Sequence, residues 1–247
     1  MWIVDAAVIG AGWLVFVLLL WRCYKERHWS HYPLFSVYLV FTFLRAIAVG
    51  IFNDSNQPLY SIIYWYSDLL VVLLRFCVAW EIFRNAFPVR TVLRAIATRV
   101  LLVLLTALAV TFYFLAEPQG NFFLDLERKA GLTVVVWLAA LLLLARFYNV
   151  PMGRNIWGMA VGMGLYVSIS IANFSAFDLN SSFFFMWRFL TPVSFLAMTL
   201  IWTWALWTYA PAPQLQPVSG PPLHAAQKRW QLSWRKMISA IRKGLGR

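Results

Sequence analysis

The sequence predicts an all-α, polytopic transmembrane bundle of seven helices with an amphipathic surface helix at its C-terminus. Three observations predict it. Apolar residues make up 62% of the 247 residues and charged residues only 12%, against roughly half and a quarter in an average soluble domain. The apolar residues fall in blocks of about 20, the length of helix that crosses a ~30 Å hydrocarbon core. The basic residues flank those blocks on alternate ends, as membrane orientation requires.

The spans read in order as Ile3 to Trp21, Pro33 to Phe52, Leu59 to Phe83, Val92 to Ala116, Ala130 to Tyr148, Ile156 to Phe177 and Phe183 to Tyr209. Each break has a local cause. Arg22 to His28 is polar and basic; Asn53 to Pro58 is turn-forming; Pro88 stops the third span. Glu117-Pro-Gln-Gly120 ends the fourth, and Asn121 to Glu127 is expected as an external loop. Pro151 and Gly153 close the fifth. The domain plan is a bundle over 1–210, a proline-rich linker over 211–223 and a basic helix over 224–247.

Sixteen of the 21 Lys and Arg residues fall on one side of this scheme, only Arg128 and Lys129 on the other. The basic side is therefore cytoplasmic, and seven crossings put the N-terminus outside. The expected location is the inner (plasma) membrane. There is no basic leader before the first apolar block, so that block is expected to stay as a span. The net charge of +12 is placed for a membrane rather than for nucleic acid.

Pro211 to Pro222 holds five prolines and reads as an extended spacer. Beyond it, apolar residues recur at helical spacing among Lys228, Arg229, Arg235, Lys236, Arg242 and Lys243, with Trp230 and Trp234 on the apolar side. Such a helix is expected to lie on an anionic cytoplasmic leaflet and to offer a contact for a cytoplasmic or membrane protein partner.

Ionisable residues inside the spans are the first functional candidates, since each costs about 2.5–3.5 kcal/mol to insert and is normally buried with a partner. They are Arg45, Asp68, Arg75 and Arg188, with Glu81 nearer the cytoplasmic end. At ~1.5 Å per residue, Arg45 and Asp68 fall at matching depth on consecutive spans, which predicts an ion pair. Arg75 follows Asp68 by seven residues, on the same face and two turns deeper. Arg188 lies higher. Three Arg against one Asp leave room for an anionic headgroup, a carboxylate or a proton. In the sixth span, Gly158, Gly162 and Gly164 permit close helix approach. Pro192 in the seventh should kink that helix and free a carbonyl.

Several chemistries are excluded on residue type. His28, His31 and His224 lie outside the spans, so no bis-histidine haem and no histidine-ligated membrane metal site is expected. One deep acid is too few for an intramembrane aspartyl protease, and no membrane base serves a serine nucleophile. Cys23 and Cys77 form no metal or disulfide motif. No cofactor, metal or enzymatic activity is expected. The reading is a non-enzymatic sensor or scaffold module, with a small-solute or lipid-type transporter or an accessory subunit as alternatives. The first three and last three spans show no repeat of the kind common in transporters.

The stretch Tyr64-Trp-Tyr-Ser-Asp68, continuing to Ala79-Trp-Glu81-Ile-Phe-Arg84-Asn-Ala-Phe87-Pro88 and Leu93-Arg94, resembles a family of small multi-pass bacterial inner-membrane proteins, mainly acidobacterial. So do Leu126-Glu-Arg-Lys129 and Ile156 to Leu165. Members often carry Glu where Asp68 stands, and usually Pro-Tyr after the Phe-Arg segment, where this chain has Phe87-Pro88-Val89. The resemblance implies a bacterial inner membrane and this topology, and implies no activity.

Overall fold

The computed structural model describes residues 2–52, 57–87, 92–114, 122–179 and 184–210, without the side chains of 2–6, 57–58, 92–93, 96, 111–114, 122–124, 174, 176–179 and 184–188. The described chain is all helical. Its helices are α1 (Trp2–Lys25), α2 (His28–His31), α3 (Pro33–Phe52), α4 (Gln57–Ala86), α5 (Val92–Phe114), α6 (Phe122–Phe147), α7 (Arg154–Leu179) and α8 (Phe184–Ala205). Five contain stretches long and apolar enough to span a membrane: Ala7–Lys25, Pro33–Phe52, Leu59–Ala86, Asp125–Phe147 and Arg154–Asn173. Shorter apolar stretches, Ala97–Val110 and Phe189–Ala205, lie in α5 and α8. The expected linker 211–223, and the helix 224–247 with its basic residues and tryptophans, lie outside the described residues.

The surface is apolar where a soluble protein would be polar. Leu14 is 74% exposed, Leu143 69% and Phe147 78%. Large apolar side chains facing outward on this scale are costly in water, whereas hydrocarbon solvates them at no cost. The chain is a multi-pass membrane protein in character.

Helix α8 packs along α7 and α1; α3 packs on α4; α6 lies against α4, α5 and α7. The order α1–α8–α7–α6–α4–α3 closes into a ring where α3 touches α1 over a short stretch, with α5 outside on α6. Aromatic rings fill the α1–α3–α8 seam. Phe16 and Phe195 centroids lie 5.7 Å apart, and Phe35 meets Trp202 edge-on at 5.0 Å. Gly12 lies against the Phe195 ring, leaving room for it.

The α1–α3 connection is tighter than an unstructured basic loop. Arg27 adopts a left-handed backbone (φ 53°), which ends α1 and lets the short α2 fold back. That turn buries His28 completely, between the first two candidate spans and outside both. Its Nε2 donates to the Leu206 carbonyl at 2.8 Å. The other ring nitrogen is buried without a hydrogen-bond partner among the described residues.

His28 is one of four side chains that tie down the end of α8 and the residues just after it. Carbonyls at and beyond a helix C-terminus need partners from outside it. Here Arg154 Nε donates to the Ala205 carbonyl at 3.2 Å, His28 to Leu206, Arg22 Nε to Trp207 at 2.8 Å, and Asn155 Nδ2 to Thr208 at 3.2 Å. Two of the four are arginines, the charge a helix C-terminus favours. At the opposite pole of a helix, the Glu81 carboxylate accepts from Leu34 N (3.1 Å) and Phe35 N (2.8 Å), closing the start of α3.

Desolvation holds the His28 pKa below its ordinary 6.5 despite the carbonyl contact. The folded chain thus binds fewer protons at this site than the unfolded chain between the lowered value and 6.5. Stability from this site is complete above 6.5 and falls as pH drops through that value. Thermal unfolding in detergent from pH 7.5 to 5 should show a steeper loss for the wild type than for His28→Gln. Parallel profiles would remove His28 from the acid response.

Candidate functional site

Helices α3 and α4 lie side by side and bring Arg45 to Asp68. Arg45 Nη2 donates to Asp68 Oδ1 at 2.8 Å. Its Nε donates to Ser67 Oγ at 2.9 Å, and that hydroxyl donates onward to the Tyr64 carbonyl at 3.0 Å. The guanidinium also lies 5.1 Å from the Tyr64 ring centre. Three residues of one α4 turn thus hold one arginine from α3. The contact length is that of a charge-assisted hydrogen bond.

Arg75 lies on the same face of α4, and only 7% of its surface is exposed. Its carboxylate is Glu127 of α6, with Nη1 to Oε1 at 3.7 Å. That is longer than the ~2.7–2.9 Å of a tight pair. Tyr166 of α7 presents its ring at 6.0 Å, and Arg75 Nε has no hydrogen-bond partner among the described residues. The network therefore spans α3, α4 and α6, with an aromatic wall from α7.

Glu127 corrects the sequence reading. Asn121 to Glu127 was expected as an external loop; instead α6 begins at Phe122. Its first turns are steadied by Lys129 Nζ to Asp125 Oδ2 at 2.6 Å, an i,i+4 pair. Glu127 then lies five residues into the helix. A signal for it was present in the residues: three arginines against one acid called for a second carboxylate. Among the described side chains, Arg45 and Arg75 face two carboxylates, Asp68 and Glu127.

Asp68 and Glu127 both line one narrow cleft between α4 and α6. Trp65, Leu69, Val72 and Leu126 complete its walls. The cleft offers a water-sized sphere about 10 Å³, roughly the room for one water. The backbone of α8 carries Arg188, whose side chain lies outside those described.

The small residues of α7 divide. A Cβ on Gly158 would overlap the Ala205 Cβ, and one on Gly162 would overlap the Trp202 indole, so both sit directly against α8. Trp202 Nε1 donates to the Met159 carbonyl at 3.3 Å in the same seam. Gly164 has open space beside it. Two residues turn a helix by about 200°, which puts Gly164 away from the face that Gly162 presents. Pro192 lies within α8. The polar groups beside it are used locally: Asn173 Nδ2 donates to Thr191 Oγ1 at 2.9 Å, and Ser194 Oγ to the Thr191 carbonyl at 2.8 Å.

Comparison of the chain with protein-family models, with curated proteins and with solved structures gave no match.

Proposed function

We propose that this chain is a non-enzymatic sensor or scaffold module of the cell inner membrane, crossing it seven times, with the N-terminus outside and the basic tail in the cytoplasm. Helices α5 and α8, of 23 and 22 residues, supply the sixth and seventh crossings; at ~1.5 Å per residue each reaches over 30 Å. The excess of basic residues on one side supports the orientation. Residues 224–247 would bind the anionic leaflet and carry the contact to a cytoplasmic partner.

The observation that carries the reading is the size and lining of the Asp68–Glu127 cleft. Among the described residues it has room for about one water, and Arg45 and Arg75 each have a carboxylate beside them. Of the ligands a charged cluster takes, the proton fits. A proton between the two carboxyls changes the charge balance of a network that ties α3, α4 and α6 together, so it can shift their packing.

Hydrogen–deuterium exchange of the full chain in nanodiscs tests this, corrected for intrinsic rates at pH 8 and pH 5. Exchange in α3, α4 and α6 should differ between the two, and Glu127→Gln should remove the difference. A copurifying cytoplasmic protein should be lost on deletion of residues 224–247. Identical wild-type exchange at both pH values overturns the proton reading. Solute flux in liposomes that depends on Asp68 and Arg45 would replace it with transport.

A further inference from the structure

A second feature lies on the lipid-facing side of α1 and α3, away from the charged network. The two helices touch only briefly and leave a groove of about 570 Å³ between them. Leu20 and Cys23 of α1 and Val37, Val40 and Leu44 of α3 form its apolar wall. Ser36 also lines it, but its hydroxyl is spent on the Tyr32 carbonyl at 3.0 Å. The wall suits a hydrocarbon chain and little else.

Its length suits one leaflet. From Pro33 to Leu44 the α3 wall runs eleven residues, about 17 Å at 1.5 Å each, close to half of a ~30 Å core. One end carries an aromatic pair, Tyr24 and Trp29, with ring centres 5.9 Å apart. Both are exposed, at 71% and 57%, as residues at a headgroup boundary are. The turn joining them carries Lys25 and Arg27, both exposed. Arg22 is already engaged with Glu26 and the Trp207 carbonyl; Lys25, whose ammonium lies 5.2 Å from the Trp21 ring centre, and Arg27 are the exposed cations of this turn that can face an anionic headgroup.

We propose that this groove holds one acyl chain of a bilayer glycerophospholipid with an anionic headgroup, and that Lys25 and Arg27 select the headgroup. The site needs the chain to lie in a membrane and is independent of the proton reading. The lipid would extend the short contact between α1 and α3 along the rest of their length on that side.

The test is native mass spectrometry of the delipidated full chain, titrated with phosphatidylglycerol and with phosphatidylcholine. The wild type should retain one phosphatidylglycerol per chain, about tenfold in preference to phosphatidylcholine. Val40→Trp fills the groove from a position that is 49% exposed and should lose the retained lipid. Lys25→Gln with Arg27→Gln, a surface change that leaves the groove intact, should bring the preference within about twofold. Three results would overturn the proposal: equal wild-type retention of the two lipids, retention unchanged by Val40→Trp, or a second copy of the chain in place of the lipid.

Discussion

Glu127→Leu is expected to destabilise the bundle by about 3 kcal/mol, the lower end of the range for removing one partner of a buried ion pair. Arg75 is 7% exposed and its Nη1–Oε1 contact is 3.7 Å. The burial argues for a large effect, because the guanidinium would be left charged in a low-dielectric interior. The long contact argues for the lower end, because less attraction is lost. A chain of this size loses roughly 2–4 °C of unfolding midpoint per kcal/mol, so the fall should be near ~10 °C. Arg75→Met combined with Glu127→Leu removes both charges and should return most of it, since an apolar pair of similar volume often matches a buried ion pair. If the double variant is as unstable as Glu127→Leu alone, Arg75 is not the group that Glu127 compensates.

Gly158→Ala is expected to cost about 2–3 kcal/mol, although alanine is the better helix former. The new methyl would overlap the Ala205 Cβ, so α7 and α8 must part or bend, the usual penalty of overpacking. Ala205→Gly in the same chain removes the opposing Cβ and should restore most of the loss. Gly164→Ala is the contrasting case. It meets open space and should gain up to ~1 kcal/mol from helix propensity. Equal losses at 158 and 164 in a detergent unfolding series would show that the α7–α8 contact does not set the sensitivity.

Periodicity and charge made the bundle legible. Arg45 and Asp68 could be paired in advance because both lie near the middle of adjacent spans, where an unpaired charge is costly. Glu127 could not be placed the same way. It stands beside Arg128 and Lys129 at a span edge, and hydropathy cannot tell a loop residue from the second turn of a helix there. Gly164 shares the small-residue pattern with Gly158 and Gly162. Which of them meets a neighbour depends on the rotation of α7 about its own axis, which no local pattern encodes.

The end of α8 makes the same point with polar groups. Arg22, His28, Arg154 and Asn155 are scattered over the chain, and each reads as an ordinary interfacial residue. Only when α1, α2 and α7 converge do they become the donors for four successive carbonyls, from Ala205 at the end of α8 to Thr208 just beyond it. The hydropathic blocks and charge runs settle helical character and membrane residence, because hydrocarbon demands backbone bonds satisfied within each segment. The pairing of Arg75 with Glu127, the burial of His28 and the groove between α1 and α3 arise from which helices are neighbours and how each is turned. That is decided by side-chain packing between segments far apart in sequence.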